Sequence, residues 1–148
     1  MKKPKIVVVG STNMDMVARV DRLPKPGQTI LGNSFEMNPG GKGANQAVAC
    51  ARLGAETIFI SSLGDDSLGD ILFSNLKKYK VCTDYIKREK NCPSGVALIS
   101  VDKNGWNNIC VVPCANGKLS PKDIRVRKSI FENADMVILQ LEIPDETI

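Results

Sequence analysis

The hydrophobic pattern changes period several times along this chain, and each change predicts an element. "KIVVVG", residues 5–10, is a continuous β-branched run closed by glycine, the pattern of a strand buried on both faces. The "STNMDMVARV" that follows alternates with period two, so Asn13, Asp15, Val17 and Arg19 share one side and Met14, Met16, Ala18 and Val20 the other. The prolines and glycine of "LPKPGQT" turn the chain, and residues 30–37 form a second extended piece. From Ala44 the spacing becomes helical: Ala44, Ala47, Val48, Ala51 and Leu53 make one stripe, and Gly54 stops it. "TIFISSLG" predicts another buried strand. "DDSLGDILFSNLKKYK" predicts a helix with acids first and lysines last, the order that suits the helix dipole.

Residues 83–113 break the strand–helix rhythm. "SGVALISVDKNGWNNICVV" contains two β-rich runs around Asn104-Gly105, a hairpin signal. "LSPKDIRVRKSIFENA" then predicts one helix capped by Ser120 with Pro121 at its first position, and "DMVILQLEIP" a buried strand, after which Asp145 caps a further helix. Strand, helix, strand, helix at this spacing predicts right-handed crossovers and a parallel sheet. The whole is an open α/β sheet carrying a small antiparallel β-layer built from residues of about 12–40 and 94–113. Its last strand has no helix to cover it, which reads as a domain cut short.

Composition narrows the function classes. The 148 residues fit one domain, and 43% hydrophobic with 24% charged residues is the balance of a soluble globular protein. No apolar run approaches the ~18 residues of a spanning helix, and the basic start is followed by too short an apolar run to be a secretion signal. Five cysteines, an odd number, and the lack of a leader predict a reduced, cytoplasmic protein. With no histidine and no C-x-x-C pair, a zinc site or a Cys-His nucleophile has no basis, and Cys50, Cys82, Cys92, Cys110 and Cys114 read as buried or half-buried small hydrophobes. The net charge of +4 is mild, and aromatics are only 5%. The basic clusters, such as Lys87, Arg88 and Lys90, therefore read as solvated surface rather than as a nucleic-acid site.

The chemistry concentrates at "NPGGKGANQAVACARLGA", residues 38–55. It is not a Walker loop, because position 36 is glutamate and Gly43 follows Lys42. It is not a dinucleotide fingerprint either, because Gln46 stands where the third glycine belongs. Two readings remain: a tight turn with a solvated lysine, or a close-approach site in which Lys42 and Asn45 share the face of a helix start and grip hydroxyls beside bare backbone. Asn13 and Asp15 favour the second. They follow the carboxyl end of the first strand, where open α/β sheets bind ligands, and stand roughly 7 Å apart on one side, a span that suits a pentose.

"GSTNMD", "PGGKGANQAVACARLGA", "GDDSLGD" and "QLEIP" together resemble the N-terminal half of the ribokinase-like (pfkB) family of sugar and nucleoside kinases, over nearly the whole chain. The resemblance implies a three-layer, Rossmann-like α/β sandwich with a mostly parallel central sheet and a β-sheet lid that closes over the sugar and pairs with a second subunit. It implies that residues 1–148 are the N-terminal part of such a domain, and that Asn13, Asp15, Gly41, Lys42, Asn45 and Glu142 bind a sugar, with Ala97 and Val112 as lid contacts. "GGKGANQA" favours the ribose kinases over those of adenosine or fructose. The family's phosphoryl transfer uses ATP, magnesium and a monovalent cation such as potassium, with an aspartate base from a signature resembling D-T-x-G-A-G-D. That signature is absent from this sequence, so no catalytic residue is expected in it, and the 148 residues alone are expected to transfer little or no phosphate. Cys114 stands where the family usually has glycine, which bears on how the chain leaves the lid.

Overall fold

The computed structural model describes residues 2–148. Its central sheet has four parallel strands in the order β5-β4-β1-β8: β1 (Lys5–Val9), β4 (Glu56–Gly64), β5 (Ile86–Glu89) and β8 (Met136–Leu139). The alternation of β1 and β4 supplies two hydrophobic faces. Val7 and Val9 lie beside Ile58 and Ile60 on one face, packed by Leu119, Ile130 and Ile143. Val8 lies beside Phe59 on the other, covered by Ala44 and Ala47 of α1 (Lys42–Arg52) and by Leu76 of α2 (Ser67–Lys78). The result is a three-layer sandwich, as the resemblance to the ribokinase-like family implies, around the parallel sheet that the strand–helix rhythm predicts. Phe59 is wholly buried, and a side chain of that size stabilises by roughly 1.5–3 kcal/mol through the apolar surface it removes from water.

A second sheet stands on the carboxyl end of the first, in the order β3-β2-β6-β7: β2 (Asn13–Val20), β3 (Gly32–Gly40), β6 (Gly95–Val101) and β7 (Asn107–Val112). Each hairpin is antiparallel, but the central pair β2–β6 is parallel, so the layer is mixed rather than wholly antiparallel. Met14 and Val96 on its lower face pack with Leu63 and Leu72 and anchor the sheet to the domain.

Several local expectations are corrected. The helix expected within residues 119–134 is two pieces, α3 (Pro121–Arg125) and α4 (Lys128–Glu132). The Arg127 side chain donates to the Asp123 carbonyl, which the Arg127 N–H would take in a continuous helix, and that N–H goes instead to Ile124 O at 2.9 Å. Ser120 does cap α3, in a reciprocal box with Asp123. Strand β8 is an edge strand with Met136, Val137 and Leu139 about half exposed, because β1 is its one neighbour in the sheet among the described residues. Asp145 caps nothing; it opens a single 3-10 turn, Asp145–Thr147, preceded by Pro144. Leu53 leaves the α1 stripe and is exposed, since Gly54 at φ 96° turns the chain just behind it. Strand β5 carries no apolar run and was not predicted. Its Lys87 and Arg88 are not free surface charges: Lys87 pairs with Glu89 and Asp123, and Arg88 with Asp70 and Asp65. Of the five free cysteines, Cys110 is exposed rather than buried or half-buried.

Candidate functional site

The carboxyl end of β1 is where the two sheets meet. Past Val9 the chain runs through Gly10, Ser11 and Thr12 into β2, and neighbouring strands and α1 bind its backbone. The Ser61 hydroxyl donates to Gly10 O at 2.7 Å, the Ser11 N–H donates to Gln140 Oε1 at 2.9 Å, and Ser11 O accepts from the Ala44 N–H at 3.0 Å. That last bond docks the first turn of α1 on the strand end, satisfying one of the donors that a helix start leaves free. Helix α1 begins at Lys42, two residues earlier than its apolar stripe, with Gly41 before it at φ 93°.

This docking gathers most of the expected residues around one cleft of about 150 Å³. Asn13, Asp15, Gly41, Lys42, Asn45 and Glu142 form its polar side, and Ala97, Ile99, Ile109 and Val111 its apolar side. A second cleft, of about 390 Å³, adjoins it and shares Asn13, Val111 and Glu142. Asp15 and Ala97 are register partners across β2 and β6, and Ala97 pairs with Val111 across the hairpin. Val112 is therefore on the opposite face and does not join the cleft. A two-residue turn at Asn104-Gly105 would pair Ala97 with Val112. Instead Asp102 accepts from the N–H groups of Asn104 and Trp106, closing a five-residue loop that shifts the register by one.

Glu142 lies two residues beyond Gln140, and its carboxylate turns to the cleft rather than to the 3-10 turn behind it. It accepts from the Ser11 hydroxyl at 3.0 Å and from the Lys42 ammonium. Burial alone would raise the Glu142 carboxyl, but the hydrogen bonds from Lys42 and Ser11 and the Lys42 charge hold it below its ordinary range. Asp15 moves the other way: burial first, then the Glu142 charge, raise its carboxyl, and Lys42 offsets only part of this. Two carboxylates against one ammonium leave the cleft net negative, rich in acceptors, and suited to a neutral polyhydroxyl ligand. Among the described residues no group of three or more acidic, cysteine or histidine side chains could hold a metal ion.

The Lys42–Glu142 pair gives a pH prediction. A carboxyl held below its ordinary value of 4.5 contributes stability that is complete above pH 4.5 and is lost as pH falls through its folded value. The Lys42 side chain is 69% exposed, so the contribution is at most about 1 kcal/mol. Lys42→Met should melt slightly below wild type at neutral pH, and the gap should close in acid. A gap that widens below pH 4 would contradict this account.

Ser11, Gln140, Ile99, Ile109 and Val111 were not singled out from the sequence. The last three follow from the hairpin register once the loop length is known; a serine and a glutamine at strand ends carry no signal of their own.

The chain matches the pfkB family carbohydrate kinase model over residues 3–147. It is 46% identical to a ribokinase of Bacillus subtilis, over 97% of this chain and 48% of that protein, and 36% identical to a deoxyribokinase of Salmonella typhimurium, over 97% and 47%. The structure of Arabidopsis thaliana ribokinase complexed with ribose and ATP superposes with a TM-score of 0.83 at 38% identity, over 99% of this chain and 47% of that one. The chain thus spans about half the length of these relatives. No helix among the described residues is long and apolar enough to cross a membrane.

Proposed function

The chain belongs to the pfkB family of carbohydrate kinases, and on that footing we propose that it is the sugar-binding N-terminal portion of an ATP-dependent ribokinase. The reaction of the longer protein is D-ribose plus ATP to D-ribose 5-phosphate plus ADP. One observation carries the reading: Asn13, Asp15, Lys42, Asn45 and Glu142, drawn from separate stretches of chain, converge on one cleft opposite an apolar wall. Carboxylates accept from vicinal hydroxyls, the amides and the ammonium donate, and Ala97 and Val111 cover the carbon skeleton. The negative cleft repels an already phosphorylated sugar, which suits a site for the unphosphorylated substrate.

ATP, magnesium and a monovalent cation belong to this reading of the longer protein, as does a cytoplasmic setting, and no residue of this chain is assigned to them. Residues of about 12–40 and 94–113 act as the lid. A homodimer through that lid is supported by the far part of its lower face, beyond the anchoring Met14 and Val96, where Phe35, Met37 and Leu98 expose apolar surface. A second reading, supported by the 36% identity to a deoxyribokinase, is that the sugar is 2-deoxyribose. The same cleft would also serve a kinase for adenosine or fructose, or a module that binds sugar and dimerises without catalysis.

Calorimetric titration with D-ribose, 2-deoxyribose, D-fructose and adenosine decides among them, with an ATP-coupled assay on the same preparation. Ribose is expected to bind tightest, and only a preparation that supplies the transfer machinery is expected to turn over. Tightest binding of adenosine or fructose would sink the substrate assignment. Phosphoryl transfer by residues 1–148 alone would sink the division of labour.

A further inference from the structure

Asn116 lies outside the polar cleft, 1% exposed, in the 3-10 turn Cys114–Lys118 that follows β7. Its side chain bridges the chain leaving the second sheet and the chain entering it. Asn116 Oδ1 accepts from the Thr12 N–H at 2.9 Å, and Asn116 Nδ2 donates to Thr12 O at 3.0 Å and to Asn13 Oδ1 at 2.8 Å. The two backbone partners admit one assignment of the Asn116 amide, because a backbone N–H can only donate and a carbonyl can only accept. Nδ2 is thereby placed against Asn13, and the atom of Asn13 that meets it must be the oxygen.

Asn13 is itself 3% exposed and lines both clefts. With its oxygen engaged by Asn116, what it can offer a ligand is Nδ2, a donor. We propose that Asn116 is a positioning residue that sets the polarity of the Asn13 amide, so that Asn13 presents a donor beside the acceptor carboxylate of Asp15. A hydroxyl between them accepts from Asn13 and donates to Asp15, which selects a ligand bearing a hydroxyl there over one lacking it. Gly95, the first residue of β6, leaves room for this junction: a Cβ at that position would collide with both amides. The inference rests on the sugar-binding reading above and adds a residue to it.

The test uses the protein at its natural length. In Asn116→Asp one carboxylate oxygen still accepts from Thr12, but the other faces the Thr12 carbonyl and Asn13 Oδ1. Asn13 then turns its Nδ2 inward and shows the cleft an oxygen. Ribose affinity should fall about 10-fold or more. In wild type the Asn13 side-chain amide NMR signal, assigned by its loss in Asn13→Asp, should shift on saturation with ribose. In Asn116→Asp that signal should no longer respond to ribose, whereas mere loosening of the fold would weaken binding and leave the response intact. Failure of wild type to bind ribose overturns both readings. Ribose binding with no response of the Asn13 amide overturns this one alone, whether or not the variant folds, and so does unchanged affinity in Asn116→Asp.

Discussion

Asp15→Asn should lose ribose affinity on the order of 100-fold or more while the unliganded protein becomes no less stable. The two halves of that expectation have one cause. Asp15 sits half-buried near Glu142, where desolvation and like charge raise its carboxyl above the ordinary 3.8. An acid whose folded pKa lies above its unfolded value contributes stability below the unfolded value, and that stability is lost as pH rises through the folded one. At neutral pH the ionised Asp15 is therefore a cost to the fold, kept for what it does to a ligand. Hydrogen bonds from hydroxyls to a carboxylate contribute about 1.5–3 kcal/mol each, and the amide turns one acceptor oxygen into a donor and removes the charge from the other, so one such bond is lost and the other weakened, which accounts for the fall in affinity. Asparagine keeps the size, removes the charge and does not titrate. Relative to the variant, wild type should lose thermal stability as pH rises from about 3.8 toward neutrality. An Asp15→Asn protein that binds ribose like wild type, or melts well below it at pH 7, would remove Asp15 from the site.

Much of this arrangement is legible in the sequence, and the gaps have physical reasons. The β1 and β4 runs and the α1 stripe are long periodic signals, and burial on both sheet faces writes them strongly. Asn13 and Asp15 are legible as neighbours on one side because alternation in an extended chain does not depend on what surrounds it. Gly41 is legible as a turn because a glycine before a helix restricts what the backbone can do. The resemblance alone names Val112 as a lid contact, but the register turns it away from the cleft, because the Asp102 side chain makes a five-residue loop out of a sequence that suits a two-residue turn. Strand β5 left no mark because its charged side chains are satisfied by residues distant in sequence, such as Asp123 and Asp70. The break at Arg127 has the same character, since an arginine is an ordinary helix residue until its side chain takes the carbonyl its own backbone needs. Asn116 carried no sign of its role, which comes from touching Thr12 and Asn13 across more than a hundred residues.

Gly43→Ala should be among the most damaging single-methyl changes in the chain, although local propensity argues the reverse. Gly43 lies in the first turn of α1, and alanine is favoured over glycine inside a helix by about 1 kcal/mol. A Cβ there, however, would stand 2.7 Å from Gly10 C and from Ser11 N, and 2.8 Å from Gly10 Cα. All three are backbone atoms at the end of β1, so no side chain can rotate away to make room. Either the helix lifts, breaking the Ala44 N–H bond to Ser11 O, or the Ser11–Thr12 backbone moves and carries Asn13 and the Glu142 partner with it. The expected result is a net loss of roughly 1–3 kcal/mol, the usual scale for overpacking, together with loss of ribose binding. Gly54→Ala is the control. Gly54 has φ 96° but no atom within 4 Å of the added methyl, so it should cost about 1–2 kcal/mol of backbone strain and leave ribose affinity intact. Stabilisation by Gly43→Ala would show that helix propensity outweighs the close approach. Equal affinities in the two variants would show that the approach of α1 to β1 is not what builds the cleft.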